Sequence, residues 1–104
     1  MSTSTNQLEQ NPQTSRRIIL FLSGHSPHSN RARENLRRML EKLELLDVPI
    51  KTIDMQASPH AATGYAVFAA PAIMKISPRG SDMLYGDLSN TEILESFLLD
   101  LAEI

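Results

Sequence analysis

The chain has 104 residues, a formal net charge of −2, 41% hydrophobic residues and no cysteine. That length suffices for one small domain with a modest core. The near balance of charge excludes bulk attraction to nucleic acid or acidic membranes, and the missing cysteines exclude disulfides, thiolate chemistry and cysteine-held zinc or iron–sulfur centres.

Residues 1–15 are rich in Ser, Thr, Asn and Gln. Such a stretch buries too little surface to offset its ordering entropy, so it is expected to be a disordered tail ahead of one domain over 16–104. No apolar run approaches the ~20 residues of a membrane span. Arg16-Arg17 precedes an apolar run shorter than the ~7–15 residues of an export signal, so a cytoplasmic protein is expected.

The first strand is expected over Arg17–Ser23. Its run Ile18-Ile19-Leu20-Phe21-Leu22 is apolar at every position, as in a strand covered on both faces. The run stops at Ser23-Gly24, and a polar turn, His25 to Ser29, leads into a helix. That helix is expected to start at Ser29 or Asn30, both good N-caps, and to end near Leu46-Asp47. Ala32, Leu36, Met39, Leu40, Leu43 and Leu46 form its apolar face. Arg31 and Arg33 oppose the macrodipole in the first turn, by roughly 0.3–1 kcal/mol each. They read either as a solvated face or as a contact surface for an acidic partner.

Val48–Met55 reads as a second strand, parallel to the first, with Ile50 and Ile53 in the core. Ser58-Pro59 opens a short helix, weakened at Gly64 by about 1 kcal/mol relative to Ala and ending by Phe68. Ala72–Ile76 and Asp82–Tyr85 read as an antiparallel hairpin with a longer loop. After the turn at Gly86-Asp87, Ser89-Asn90-Thr91-Glu92 fits a capping box. Ile93, Leu94, Phe97, Leu98 and Leu101 then form one helical stripe.

The order β-α-β-α-β-β-α, an α/β mixed four-stranded sheet, is the thioredoxin-like arrangement. Ser26-Pro27-His28-Ser29 looks like the C-P-Y-C turn of glutaredoxins with both cysteines replaced by serine. Pro71 sits where that fold carries its cis-proline. Serine does not exchange with disulfides, so redox activity is not expected. One reading left open is a glutathione- or small-ligand-binding module built on Ser26, Ser29 and Pro71. A metal shared by His25, His28 and His60 or Asp54 is the less favoured alternative to plain solvation, and no metal or cofactor is assigned.

A broader match spans Ile18 to Leu99. It is carried by Leu20-Phe21-Leu22-Ser23-Gly24 with Pro27 and Ser29-Asn30-Arg31-Ala32, by Leu40-Glu41-Lys42, by Ile50-Lys51-Thr52-Ile53-Asp54, by Ala70-Pro71-Ala72-Ile73-Met74-Lys75-Ile76, and by Gly86-Asp87-Leu88-Ser89-Asn90. On these stretches the chain resembles the KaiB family of clock proteins. The resemblance implies a non-enzymatic regulator that docks on the ring ATPase KaiC, in a clock or a stress response. A KaiA-like protein or a histidine kinase are further partners it implies, with dimers or tetramers of the chain itself. It implies Arg31, Lys51 and Lys75 as partner-contacting cations at one side of the domain, and Pro71, Gly86 and Asp87 as structural residues.

The resemblance also implies an alternative ground-state fold. There the first half is kept, the segment after the second strand is rebuilt, and the chain assembles as a tetramer. Clock members carry glycine and aspartate in the final segment, where this chain has Phe97 and Leu99. Phenylalanine for glycine favours helix by propensity and burial. The chain is therefore expected to sit mainly in the thioredoxin-like state.

Overall fold

The computed structural model describes residues 16–102; the tail expected over 1–15 lies outside them. Five consecutive apolar residues place β1 (Arg17–Leu22) at the centre of the molecule, with Ile18 to Leu22 all 3% exposed or less. After β1 come α1 (Pro27–Lys42), β2 (Ile50–Asp54), a 3-10 helix (Pro59–Tyr65), β3 (Ala72–Ser77), β4 (Gly80–Tyr85) and α2 (Thr91–Ala102). The sheet order is β2-β1-β3-β4. β1 runs parallel to β2 and antiparallel to β3, and β4 is antiparallel to β3. This is the mixed four-stranded α/β sheet the element order predicts, with a 3-10 helix where the second α-helix was expected.

Alternation along β1 divides the core. Ile18, Leu20 and Leu22 face the two α-helices, meeting Ala32, Leu36 and Leu40 of α1 and Leu94, Leu98 and Leu101 of α2. Ile19 and Phe21 face the other way, with Ile53, Ala62 and Ala72, beneath the 3-10 helix. Among the described residues no helix is long and apolar enough to cross a membrane.

Several boundaries move from their sequence expectation, each for a local reason. α1 starts at Pro27 rather than Ser29 or Asn30. Ser26 is its N-cap, accepting from the Ser29 amide at 3.2 Å, and Pro27 fills the first helical position, where a missing N–H costs nothing. α1 also ends early, at Lys42. Glu44 turns left-handed (φ 58°), the Leu45 amide donates to the Leu40 carbonyl at 2.8 Å and the Glu44 amide to Glu41 at 3.1 Å. That is a Schellman closure with Glu where Gly is usual. It breaks the helical period, so Leu45 and Val48 are buried while Leu46 is 60% exposed.

Ile50, expected in the core, is 43% exposed at the start of the edge strand β2, where only β1 flanks it. The β3–β4 hairpin is tight: Ser77 pairs with Gly80, leaving only Pro78 and Arg79 between. Gly80 at φ 128° supplies the backbone conformation such a turn needs. The expected capping box on Ser89 and Glu92 is replaced by a single side-chain cap one residue later. Asn90 caps α2, its side-chain oxygen accepting from the Ile93 amide at 3.1 Å. With the start so placed, Ile93 lies 51% exposed at the edge of the stripe, while Leu94, Leu98 and Leu101 are buried.

Candidate functional site

The ends of β1 and β2, the start of β3 and the end of β4 meet at one pole of the sheet. The glutaredoxin-like turn lies here, and its serines are occupied by the fold. The Ser26 hydroxyl caps α1. Ser29 is fully buried, its hydroxyl accepting from the Ser23 amide at 2.9 Å. Asp54, at the end of β2, accepts from the Gly24 and Gln56 amides, each at 3.0 Å. These bonds, Gly24's first, hold its carboxyl below the usual carboxylate range. Gly24 sits at φ 60°, a left-handed conformation that residues other than glycine adopt only with strain, whereas the Gln56 side chain near it is flexible enough to move aside.

Pro71 is buried at the start of β3 behind a cis Ala70–Pro71 bond. Its carbonyl accepts from the Gly86 amide at 3.0 Å, tying the β3 entry to the β4 exit. Gly86 sits at φ 114°. Asp87 follows, and one carboxylate oxygen accepts from the Ser89 amide at 3.1 Å while the other meets Arg31 Nε at 3.1 Å. Ser89's groups and the Arg31 guanidinium hold the Asp87 carboxyl low. Asn35 of α1 donates to the Asp87 carbonyl at 2.9 Å. Arg31 also reaches His28 Nδ1 at 2.7 Å. One feature of this pole had no sequence signal. Phe68 is 86% exposed and stacks on the half-exposed Tyr85, centroids 6.3 Å apart, with the Tyr85 hydroxyl accepting from the Phe68 amide at 3.2 Å.

The three cations named from the resemblance do not share one side. Arg31 is at this pole, on the first turn of α1. Lys51 is exposed near the other end of the sheet, opposite Ile19 and on the 3-10 helix face. Lys75 projects from β3 beneath α2 and is only 6% exposed, which corrects its expected place on the surface. Its ammonium donates to the Phe97 carbonyl and to Asp100, both at 2.7 Å, and lies 4.7 Å from the centre of the Phe97 ring. Arg16, 9% exposed, donates to the Leu101 carbonyl at 2.6 Å. Two cations thus reach carbonyls in the last turns of α2, which has no basic residue of its own there. Both bonds span the molecule, which periodicity cannot reveal. Among the described residues no three histidines or carboxylates converge on one point.

A family model described as the KaiB domain matches residues 19–99. The circadian clock oscillator protein KaiB of Synechococcus sp. (strain RCC307) is 35% identical over 75 residues, covering 72% of this chain and 68% of that one. KaiB of Thermosynechococcus vestitus is 34% identical over the same length, covering 72% and 69%. Among solved structures, the N-terminal domain of Synechococcus elongatus SasA aligns with a TM-score of 0.66 at 19% identity, covering 86% of this chain and 85% of that one. Mitochondrial thioredoxin 3 of Saccharomyces cerevisiae aligns at 0.68 and 20% identity, covering 95% and 88%. At those identities the likeness concerns the fold, which is thioredoxin-like.

Proposed function

The chain belongs to the KaiB family, and from that premise we propose that it is a non-enzymatic regulator that docks on a KaiC-type ring ATPase. The observation that carries this reading is the Phe68–Tyr85 stack. Phe68, 86% exposed, and Tyr85, 42% exposed, stack into one contiguous exposed apolar patch, and such patches mark interaction surfaces where single exposed residues do not. Around it the two serines that stand where a glutaredoxin carries cysteines are committed to the fold, Ser26 to a helix cap and Ser29 to the Ser23 amide, and the nearby Asp54 carboxylate is held by two backbone amides. Recognition rather than reaction suits such a pole. Arg31 stands at its rim with its side chain half exposed and is the proposed polar contact, with Lys51 as a second contact on the sheet's far end.

Co-elution of the purified chain with a KaiC-type ATPase, with and without ATP, tests the reading. Binding that Phe68→Ala or Arg31→Glu weakens at least tenfold is expected. An ATPase that ignores the native chain overturns the proposal. Phe97, packed on the buried Lys75 side chain, supports a chain that stays in the thioredoxin-like arrangement. Far-UV circular dichroism and size exclusion would then report this helical content, and a tetramer with a strand at its C-terminal end would contradict it.

A further inference from the structure

At the opposite pole, where β1 and β2 begin, a cavity of about 210 Å³ opens beside the sheet. Two cations border it. Parallel pairing sets Lys51 opposite Ile19, and Arg17 precedes Ile19 by two residues on β1. Both therefore leave the sheet on the face of the 3-10 helix. Both are exposed, and among the described residues neither makes an ion pair; Arg33 and Arg79 share that condition, but only Arg17 and Lys51 border a cavity together. The rest of the wall is largely apolar: Ile19, Pro49, Ile50 and Tyr65, whose ring rests edge-on against Phe21 at 5.6 Å.

Arg17 and Lys51 stand diagonally across the β1–β2 pair, about 7–8 Å apart at the backbone, a separation that an anion held between the two side chains can bridge. The guanidinium fork of Arg17 matches a carboxylate, while Lys51 supplies a point charge. The volume lies below the roughly 300–1,000 Å³ of pockets for drug-sized molecules, so the occupant is small. Its apolar wall favours a head group with a body over a bare inorganic ion. We propose that this cleft binds a small organic anion: a carboxylate carried on a small apolar body.

Lys51 also stands among the proposed docking contacts, so the test uses the free chain with no ATPase present and the two readings fail separately. The full chain, labelled with nitrogen-15, is titrated with sodium benzoate, with inorganic phosphate and with sodium chloride at matched ionic strength. Saturable shifts of the Ile19, Lys51 and Tyr65 amides with benzoate are expected, with the double variant Arg17→Gln/Lys51→Gln weakening binding at least tenfold. Phosphate should bind severalfold more weakly than benzoate. Shifts that grow linearly, or that persist unchanged in the double variant, overturn the site. Phosphate binding as tightly as benzoate overturns the apolar body. Both substituted positions are exposed, and each single variant gives a folded control.

Discussion

The two faces of the sheet are covered unequally. One carries two amphipathic helices, of sixteen and twelve residues, over Ile18, Leu20, Leu22 and Ile73. The other carries a seven-residue 3-10 helix whose one buried residue is Ala62, and its core is finished by half-buried groups such as Tyr65, Met74 and Met83. Regular helices cover a sheet because their apolar stripe is long enough to seal it. A 3-10 turn is too short to do so. The thick face carries the larger of the two cores, and the thin face leaves apolar surface and a cavity open to solvent.

Adjacent residues of β1 test this contrast most sharply. Leu20→Ala, under the helices, should cost about 2–5 kcal/mol, and Ile19→Ala should fall at the low end of that range because a thin cover relaxes into the space. Urea denaturation of both variants measures the difference, and equal costs would break the distinction between the faces. Ser29→Ala leaves the Ser23 amide without its acceptor at the junction of β1 and α1, and should cost about 1–3 kcal/mol by the same measurement. For α2, Asn90→Ala should cost about 1 kcal/mol as a lost cap, while Ser89→Ala, which loses only an exposed hydroxyl contact with Asp87, should cost less. The reverse order would restore the capping box centred on Ser89.

The smallest effect is electrostatic and belongs to the thick face. Lys75, by hydrogen bond and charge, holds the Asp100 carboxyl below its ordinary value. A carboxyl whose pKa is lowered on folding stabilises the native state above its unfolded pKa, ~3.9 for Asp. That contribution is lost as pH falls through the folded value. Asp100→Asn should therefore flatten part of the acid limb of a stability–pH curve and leave its shape near neutrality unchanged. An acid limb identical in the variant would detach Lys75 from Asp100.

Much of the fold was legible because it rests on local pattern. The apolar run Ile18–Leu22 suits a strand covered on both faces, and Ala32, Leu36, Met39 and Leu40 recur at helical spacing. The errors fall where the chain changes direction. Leu46 and Ile50 obey the pattern and are still exposed, because Glu44 turned left-handed and β2 became an edge. The candidate site was less legible. Pro71, Gly86 and Asp87 stood out as residue types, but nothing in the order of residues brings Phe68 onto Tyr85 or Lys75 beneath α2.

The sequence by itself determined the order of strands and helices, the absence of thiol chemistry and the family resemblance, since each is written in residue type and short-range spacing. Only the tertiary structure decided which cations are surface and which are buried, where the sheet ends, and which face stays thinly covered. Those depend on contacts between residues as far apart as Arg16 and Leu101, and such contacts exist only after the strands have chosen their neighbours.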